Sequence, residues 1–132
     1  MIKFIGTEPT KGHPQDAGYD LYAAFDIEIG AQPTKVPTGT LVEIPDGYFG
    51  KIYDRSSMAA RGIKVSGGVI DASYRGEIQV LLETSGLPEL ISKGERIAQI
   101  VFQPCLNAPL VRVERLEPTA RGDGGFGSTG RF

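Results

Sequence analysis

Leu41-Val-Glu-Ile44, Pro45-Asp-Gly47 and Tyr48-Phe-Gly-Lys-Ile-Tyr53 follow one another without a gap, and they decide the fold class. The first piece alternates apolar and polar residues, the period of a half-buried strand. In the second, proline presets φ and glycine accepts a positive φ, which together make a turn. The third is rich in aromatic and β-branched residues and reads as another strand. The same grammar recurs outward from this point. Asp26-Ile-Glu-Ile29 alternates on the N-terminal side. Ile63-Lys-Val65 and Val69-Ile70 flank Gly67-Gly68, and Glu77-Ile-Gln-Val-Leu-Leu82 is the longest β pattern. Ile91 leads into the turn Ser92-Lys-Gly-Glu95. Arg96-Ile-Ala-Gln-Ile-Val-Phe102 is then closed by Pro104, and Leu110-Val-Arg-Val-Glu114 is expected as the last strand. Short strands at close spacing with Gly/Pro turns indicate an all-β sandwich, barrel or jelly roll. Only Ser56-Ser-Met-Ala-Ala-Arg61 has the makings of a helix, one or two turns long, with a serine cap and Gly62 as its stop.

With 132 residues and neither a repeat nor a linker, one domain is expected. A net charge of −2 argues against a nucleic-acid partner, whose phosphates call for a basic face. No apolar run approaches the roughly 18–20 residues that span a bilayer, so no membrane partner is expected. Met1-Ile-Lys-Phe-Ile-Gly is too short for a signal-peptide core. The single cysteine, Cys105, cannot form an intramolecular disulfide and fits a reducing, cytoplasmic compartment. It is expected as a small buried hydrophobe, because the lone histidine, His13, is too distant in sequence to suggest an activated thiolate. A Cys/His metal site is excluded on ligand count.

Polar groups break the β pattern at four places. Asp20 stands between Tyr19 and Leu21, on the opposite face from both, as a turn aspartate or a ligand. Asp54-Arg-Ser-Ser57 opens the short helix, where a serine serves as N-cap and the free N–H groups favour an anion. Asp71 follows Val69-Ile70, placed either to shape a turn or to orient and deprotonate a water. Gln99 interrupts an apolar strand and needs a partner, in the backbone or in a ligand. A fifth segment, Arg121-Gly-Asp-Gly-Gly-Phe-Gly-Ser-Thr-Gly130, is too glycine-rich to build a helix or a packed strand. It is either a disordered tail or a wrap, in which Arg121, Ser128 and Thr129 suit phosphate oxygens and Phe126 offers a ring face.

Taken in order, these five segments resemble the five motifs of the trimeric dUTPase family. The resemblance runs from about Asp16 to Gly130 and is most specific in Gly68-Val-Ile-Asp-Ala-Ser-Tyr-Arg-Gly76 and in the tail. It implies a jelly-roll-like distorted barrel over residues 1–120, a flexible lid over 121–132, and a homotrimer with three active sites at subunit boundaries. It implies hydrolysis of dUTP to dUMP and pyrophosphate, which supplies dUMP and keeps uracil out of DNA. Asp71 would be the general base for attack on the α-phosphorus. Tyr74 would pack under the deoxyribose and exclude a 2′-hydroxyl. Main-chain groups of Val65, Ser66, Gly67 and Gly68 would read uracil, and Phe126 would stack on it. Arg55, Ser56, Ser57, Gln99, Arg121, Ser128 and Thr129 would hold the phosphates. Mg²⁺ would arrive mainly on the triphosphate and meet Asp20 through water.

Two positions depart from the family pattern. Asp54 stands where proline is common, which adds a negative charge beside the expected phosphates. Ala72 and Ser73 follow Asp71, where the family often has an acid. Two other readings compete. A dCTP deaminase shares the fold and an Arg-Ser-Ser segment, but its catalytic glutamate would fall at Leu81; Glu83 is two residues out of place. A regulatory binding protein built on this fold is compatible with a partner surface.

Overall fold

A computed structural model describes residues 1–132. Eleven strands and one helix follow one another: β1 (Lys3–Gly6), β2 (Tyr19–Tyr22), β3 (Ile27–Ile29), β4 (Thr34–Pro37), β5 (Thr40–Glu43), β6 (Tyr48–Tyr53), α1 (Ser56–Ala60), β7 (Lys64–Ser66), β8 (Val69–Ile70), β9 (Gln79–Glu83), β10 (Glu89–Ile91) and β11 (Arg96–Pro104). All pairings are antiparallel. Four small sheets wrap around one core, in the orders β1-β5, β10-β3, β2-β11-β6-β8 and β4-β9-β7. This is the jelly-roll-like barrel expected from the sequence. No helix is long and apolar enough to cross a membrane.

Alternation explains how the strands close on that core. Val80 and Leu82 point inward from β9, Ala98 and Ile100 from β11, and Val42 from β5, while Ile97 is also buried where the register of β11 against β2 shifts between Arg96 and Ala98. The buried hydroxyls are satisfied. Thr38 Oγ1 donates to the Ile78 carbonyl at 2.6 Å and Thr40 Oγ1 to the Thr7 carbonyl at 2.7 Å. Ile100 is fully buried on the central strand. Ile100→Ala is expected to lower stability by about 2–5 kcal/mol through lost burial and a residual cavity. A urea titration reads this as a lower midpoint with an unchanged slope.

The turn expected between β5 and β6 is present, and local expectations differ from the structure at four other points. The Pro45–Gly47 turn forms, with Tyr48 N–H donating to the Pro45 carbonyl at 3.2 Å and Gly47 at φ +86°. It does not make a hairpin: β5 pairs with β1, while β6 pairs with β11 and β8, so the turn carries the chain between sheets. The helix lacks its serine cap. Arg55 is the N-cap residue, in extended conformation and without a side-chain cap bond. Gly62, at φ +78°, closes the other end, and Ile63 N–H donates back to the Met58 carbonyl at 3.0 Å. The longest strand is β11, Arg96–Pro104, rather than the 77–82 pattern, of which only Gln79–Glu83 is strand.

Residues 110–114 form no strand and pair with no strand of the same chain. Cys105 is exposed rather than buried: its N–H donates to the Gly47 carbonyl at the end of β11, and the chain then leaves the barrel. From there, Leu106, Leu110, Val111, Val113 and Leu116 stand in solvent in the single chain. On the barrel itself, Arg61 ties the helix end to β10 and to the turn before β11, reaching Glu89 at 3.2 Å and Glu95 at 3.5 Å. Its guanidinium pKa is raised, chiefly by the hydrogen bond to Glu89.

Candidate active site

The barrel gathers the candidate residues into two clusters. The first is a row across the sheet β2-β11-β6. Gln99 on β11 pairs with Asp20 on one side and Tyr53 on the other. Because Leu21 is buried, strand alternation turns Asp20 to the opposite face, as the sequence pattern requires. There Arg55 Nε meets Asp20 Oδ1 at 3.2 Å, and Arg96 approaches Oδ2 at 4.0 Å. Arg55 also donates to Ser57 Oγ at 3.4 Å and to the Arg96 carbonyl at 3.2 Å. Gln99 Nε2 donates to the Asp54 carbonyl at 2.9 Å, and its Oε1 occupies the space a Cβ on Gly18 would need. Asp20, Arg55, Ser57 and Gln99 therefore come together, with Ser56 exposed at the helix start beside them. Arg96 is a fifth member that sequence reasoning missed. Its position opening β11, three residues before Gln99, was the available signal.

The second cluster surrounds a cavity of about 300 Å³ lined by Val69, Ile70, Asp71, Tyr74 and Leu81, among others. Asp71 leaves β8 and accepts the Tyr74 N–H on its own carbonyl at 3.1 Å, so a tight turn fixes the pair. Tyr74 Oη donates to the Glu77 carbonyl at 2.8 Å, which locks the ring. Gly76 lies directly against that phenol oxygen, where any Cβ would overlap it. Asp71 is exposed and β8 only two residues long, so the carboxylate projects from a short edge strand rather than from a buried one.

Residues 65–68 carry the chain between two sheets, because β7 pairs with β9 while β8 pairs with β6. Gly67 and Gly68 make the crossing at φ +67° and +111°. A Cβ on Gly68 would lie 2.9 Å from the Ile52 carbonyl, so only glycine fits. Several main-chain groups here are already engaged. Val65 N–H donates to Asp54 Oδ1 at 2.7 Å, and the Gly68 carbonyl accepts the Ile52 N–H at 2.8 Å. Asp54 thus turns inward, toward the 65–68 crossing.

The single chain does not bring the two clusters together. Ile70 is paired with Gly50, and Arg55 lies five residues further along an extended chain. Asp71 and Arg55 are therefore separated by roughly 20 Å at the usual rise per strand residue. The tail joins neither cluster. Arg121 Nε donates to the Gly124 carbonyl at 2.7 Å, Ser128 N–H to the Gly125 carbonyl at 3.1 Å, and Phe126 is fully exposed at φ +50°.

An all-β barrel with a carboxylate–tyrosine cavity and a separate arginine–hydroxyl–amide row suits a phosphorylated ring compound. The comparisons with known proteins agree. The family model described as dUTPase matches residues 6–130. A deoxyuridine 5'-triphosphate nucleotidohydrolase from Gloeobacter violaceus is 46% identical over 129 residues, covering 92% of this chain and 88% of the relative. Its counterpart from Yaba monkey tumor virus is 42% identical over 142 residues, covering 98% and 99%. Among solved structures, the Staphylococcus bacteriophage 80alpha dUTPase with dUPNHPP superposes with a TM-score of 0.89 at 28% identity, covering 99% of each chain. The chain belongs to the dUTPase family.

Proposed function

We propose that this protein hydrolyses dUTP to dUMP and pyrophosphate, supplying dUMP and keeping uracil out of DNA. Asp71 beside a locked tyrosine ring, in a chain of this family, carries the reading. The Asp71 carboxylate takes a proton from a water. The oxygen of that water forms a bond to the α-phosphorus, and the bond from that phosphorus to the α,β-bridging oxygen breaks. Tyr74 packs under the deoxyribose and leaves no room for a 2′-hydroxyl. Arg55, Ser56, Ser57 and Gln99 hold the phosphates, and Arg121, Ser128 and Thr129 close over them while Phe126 covers the base.

The residues present fit Mg²⁺ only as an ion carried by the nucleotide. No group of three ligating side chains exists, Asp20 already faces two arginines, and Asp54 is turned to an amide. Asp20 would reach such an ion through water, and the ion would neutralise phosphate charge. The deaminase alternative lacks its acid, because Leu81 lines the cavity at the required position.

The distance between the clusters favours a homotrimer in which Asp71 of one subunit faces Arg55 and Gln99 of another. The exposed apolar arm after Cys105 supports the same assembly, because a single chain leaves it uncovered. Subunit mixing tests this. Asp71→Asn and Arg55→Ala proteins, each inactive alone, are expected to regain roughly a quarter of wild-type dUTP turnover when their subunits are shuffled one to one. No recovery in verified mixed trimers would contradict a shared site. Sedimentation of the wild type as a monomer at assay concentration would contradict the trimer.

A further inference from the structure

We propose that Asp54 and Lys51 are positioning residues that set the 65–68 crossing and so determine selectivity for the base; this rests on that segment reading uracil. The two side chains are three residues apart, Lys51 within β6 and Asp54 just past its end, carry opposite charges, and hold the crossing at Val65 and at Gly67. Asp54 Oδ1 accepts the Val65 N–H at 2.7 Å. Lys51 Nζ donates to the Gly67 carbonyl at 2.9 Å and to the Ile52 carbonyl at 3.0 Å. Charge-assisted bonds of this length are stronger than neutral ones, and they fix the orientation of the peptides they hold. Gly68 keeps the space open, since a Cβ there would come within 3.1 Å of the Lys51 ammonium.

The grip has a direct route to the cavity. A Cβ on Gly67 would touch Leu81 Cδ1 at 3.8 Å, and Leu81 lines the cavity that holds Asp71 and Tyr74. Glycines at positive φ have no side chain to hold them, so two flanking charges replace the missing packing. Asp54 also accepts Gln99 Nε2 on its carbonyl and leads directly into Arg55. One residue therefore joins the base-reading segment to the phosphate row of the same subunit. The expected consequence is a specificity effect. A loosened crossing admits a base with a methyl group, while the proton transfer at Asp71 is left alone.

The test compares Asp54→Ala, Asp54→Asn, Lys51→Met and Lys51→Arg with the wild type, measuring kcat and KM for dUTP, dTTP and dCTP. Asp54→Ala and Lys51→Met are expected to raise KM for dUTP about tenfold, to leave kcat within about twofold, and to lower the dUTP-to-dTTP ratio of kcat/KM about tenfold. Asn and Arg, which keep an acceptor and a cation, should restore most of the ratio. Hydrogen exchange at the Val65 amide should quicken in Asp54→Ala and stay slow in Asp54→Asn. An unchanged base ratio in both disruptive variants, or kcat and KM worsening together without rescue by Asn or Arg, would overturn the proposal. Wild-type failure on dUTP would instead overturn the function it rests on. Normal wild-type turnover with an unchanged ratio would remove only the positioning role.

Discussion

Asp71→Asn is expected to reduce dUTP turnover by about 10²–10⁴-fold, the range a positioned general base contributes, while nucleotide binding survives. The asparagine amide has nearly the size and shape of the carboxylate but cannot accept the proton of the attacking water. Nothing else in the cavity replaces it well. Glu77 lines the same space, but its Oε2 already accepts the Gly39 N–H at 2.7 Å. The tyrosine is held independently through the Glu77 carbonyl, and the Asp71–Tyr74 turn uses the main-chain carbonyl of residue 71 rather than its side chain. The substitution should therefore leave the cavity shaped as it was. Isothermal titration with a non-hydrolysable dUTP analogue and steady-state turnover, run on the same preparation, separate the two effects. Equal turnover in mutant and wild type would remove Asp71 as the base.

Deleting residues 121–132 should have the second large effect, a loss of at least about 10²-fold in turnover with no loss of fold. Its physical basis is the exclusion of water and the neutralisation of charge by groups that close over the phosphates. Two observations separate this from a folding defect. The tail's hydrogen bonds are local, from Thr119–Gly122 through Gly127–Gly130, and Phe126 makes no packing contact with the core. Thermal unfolding of the truncated protein should therefore match that of the full chain. A truncated protein with full turnover would make the tail incidental. One with a strongly lowered melting temperature would show that it supports the barrel.

How much of this was legible in the sequence depended on how local the information was. The Leu41–Tyr53 stretch, β11 and the short helix could be read because alternation, turn chemistry and length are local properties. Pairing is not local. Leu110-Val-Arg-Val-Glu114 has the pattern of a strand, but a pattern cannot say that it pairs with no strand of its own chain. The Pro45-Asp-Gly47 turn looked the same whether its strands paired with each other or with different sheets. In the site, Asp71 and Tyr74 are three residues apart and share a turn, so their association was legible. The Asp20–Arg55 pair, 35 residues apart and 3.2 Å apart in space, depended on strand order. Asp54 stood out as an unexplained charge. Its partner, an amide 11 residues away, emerged only once β6 and β7 were placed.

The central claim is that water activated at Asp71 attacks the α-phosphorus of dUTP, and hydrolysis in heavy-oxygen water tests it most directly. With Mg²⁺ present, a single turnover of dUTP analysed by mass spectrometry should place the label in dUMP and leave the pyrophosphate unlabelled. Label in the pyrophosphate, or no hydrolysis of dUTP at all, would contradict the account.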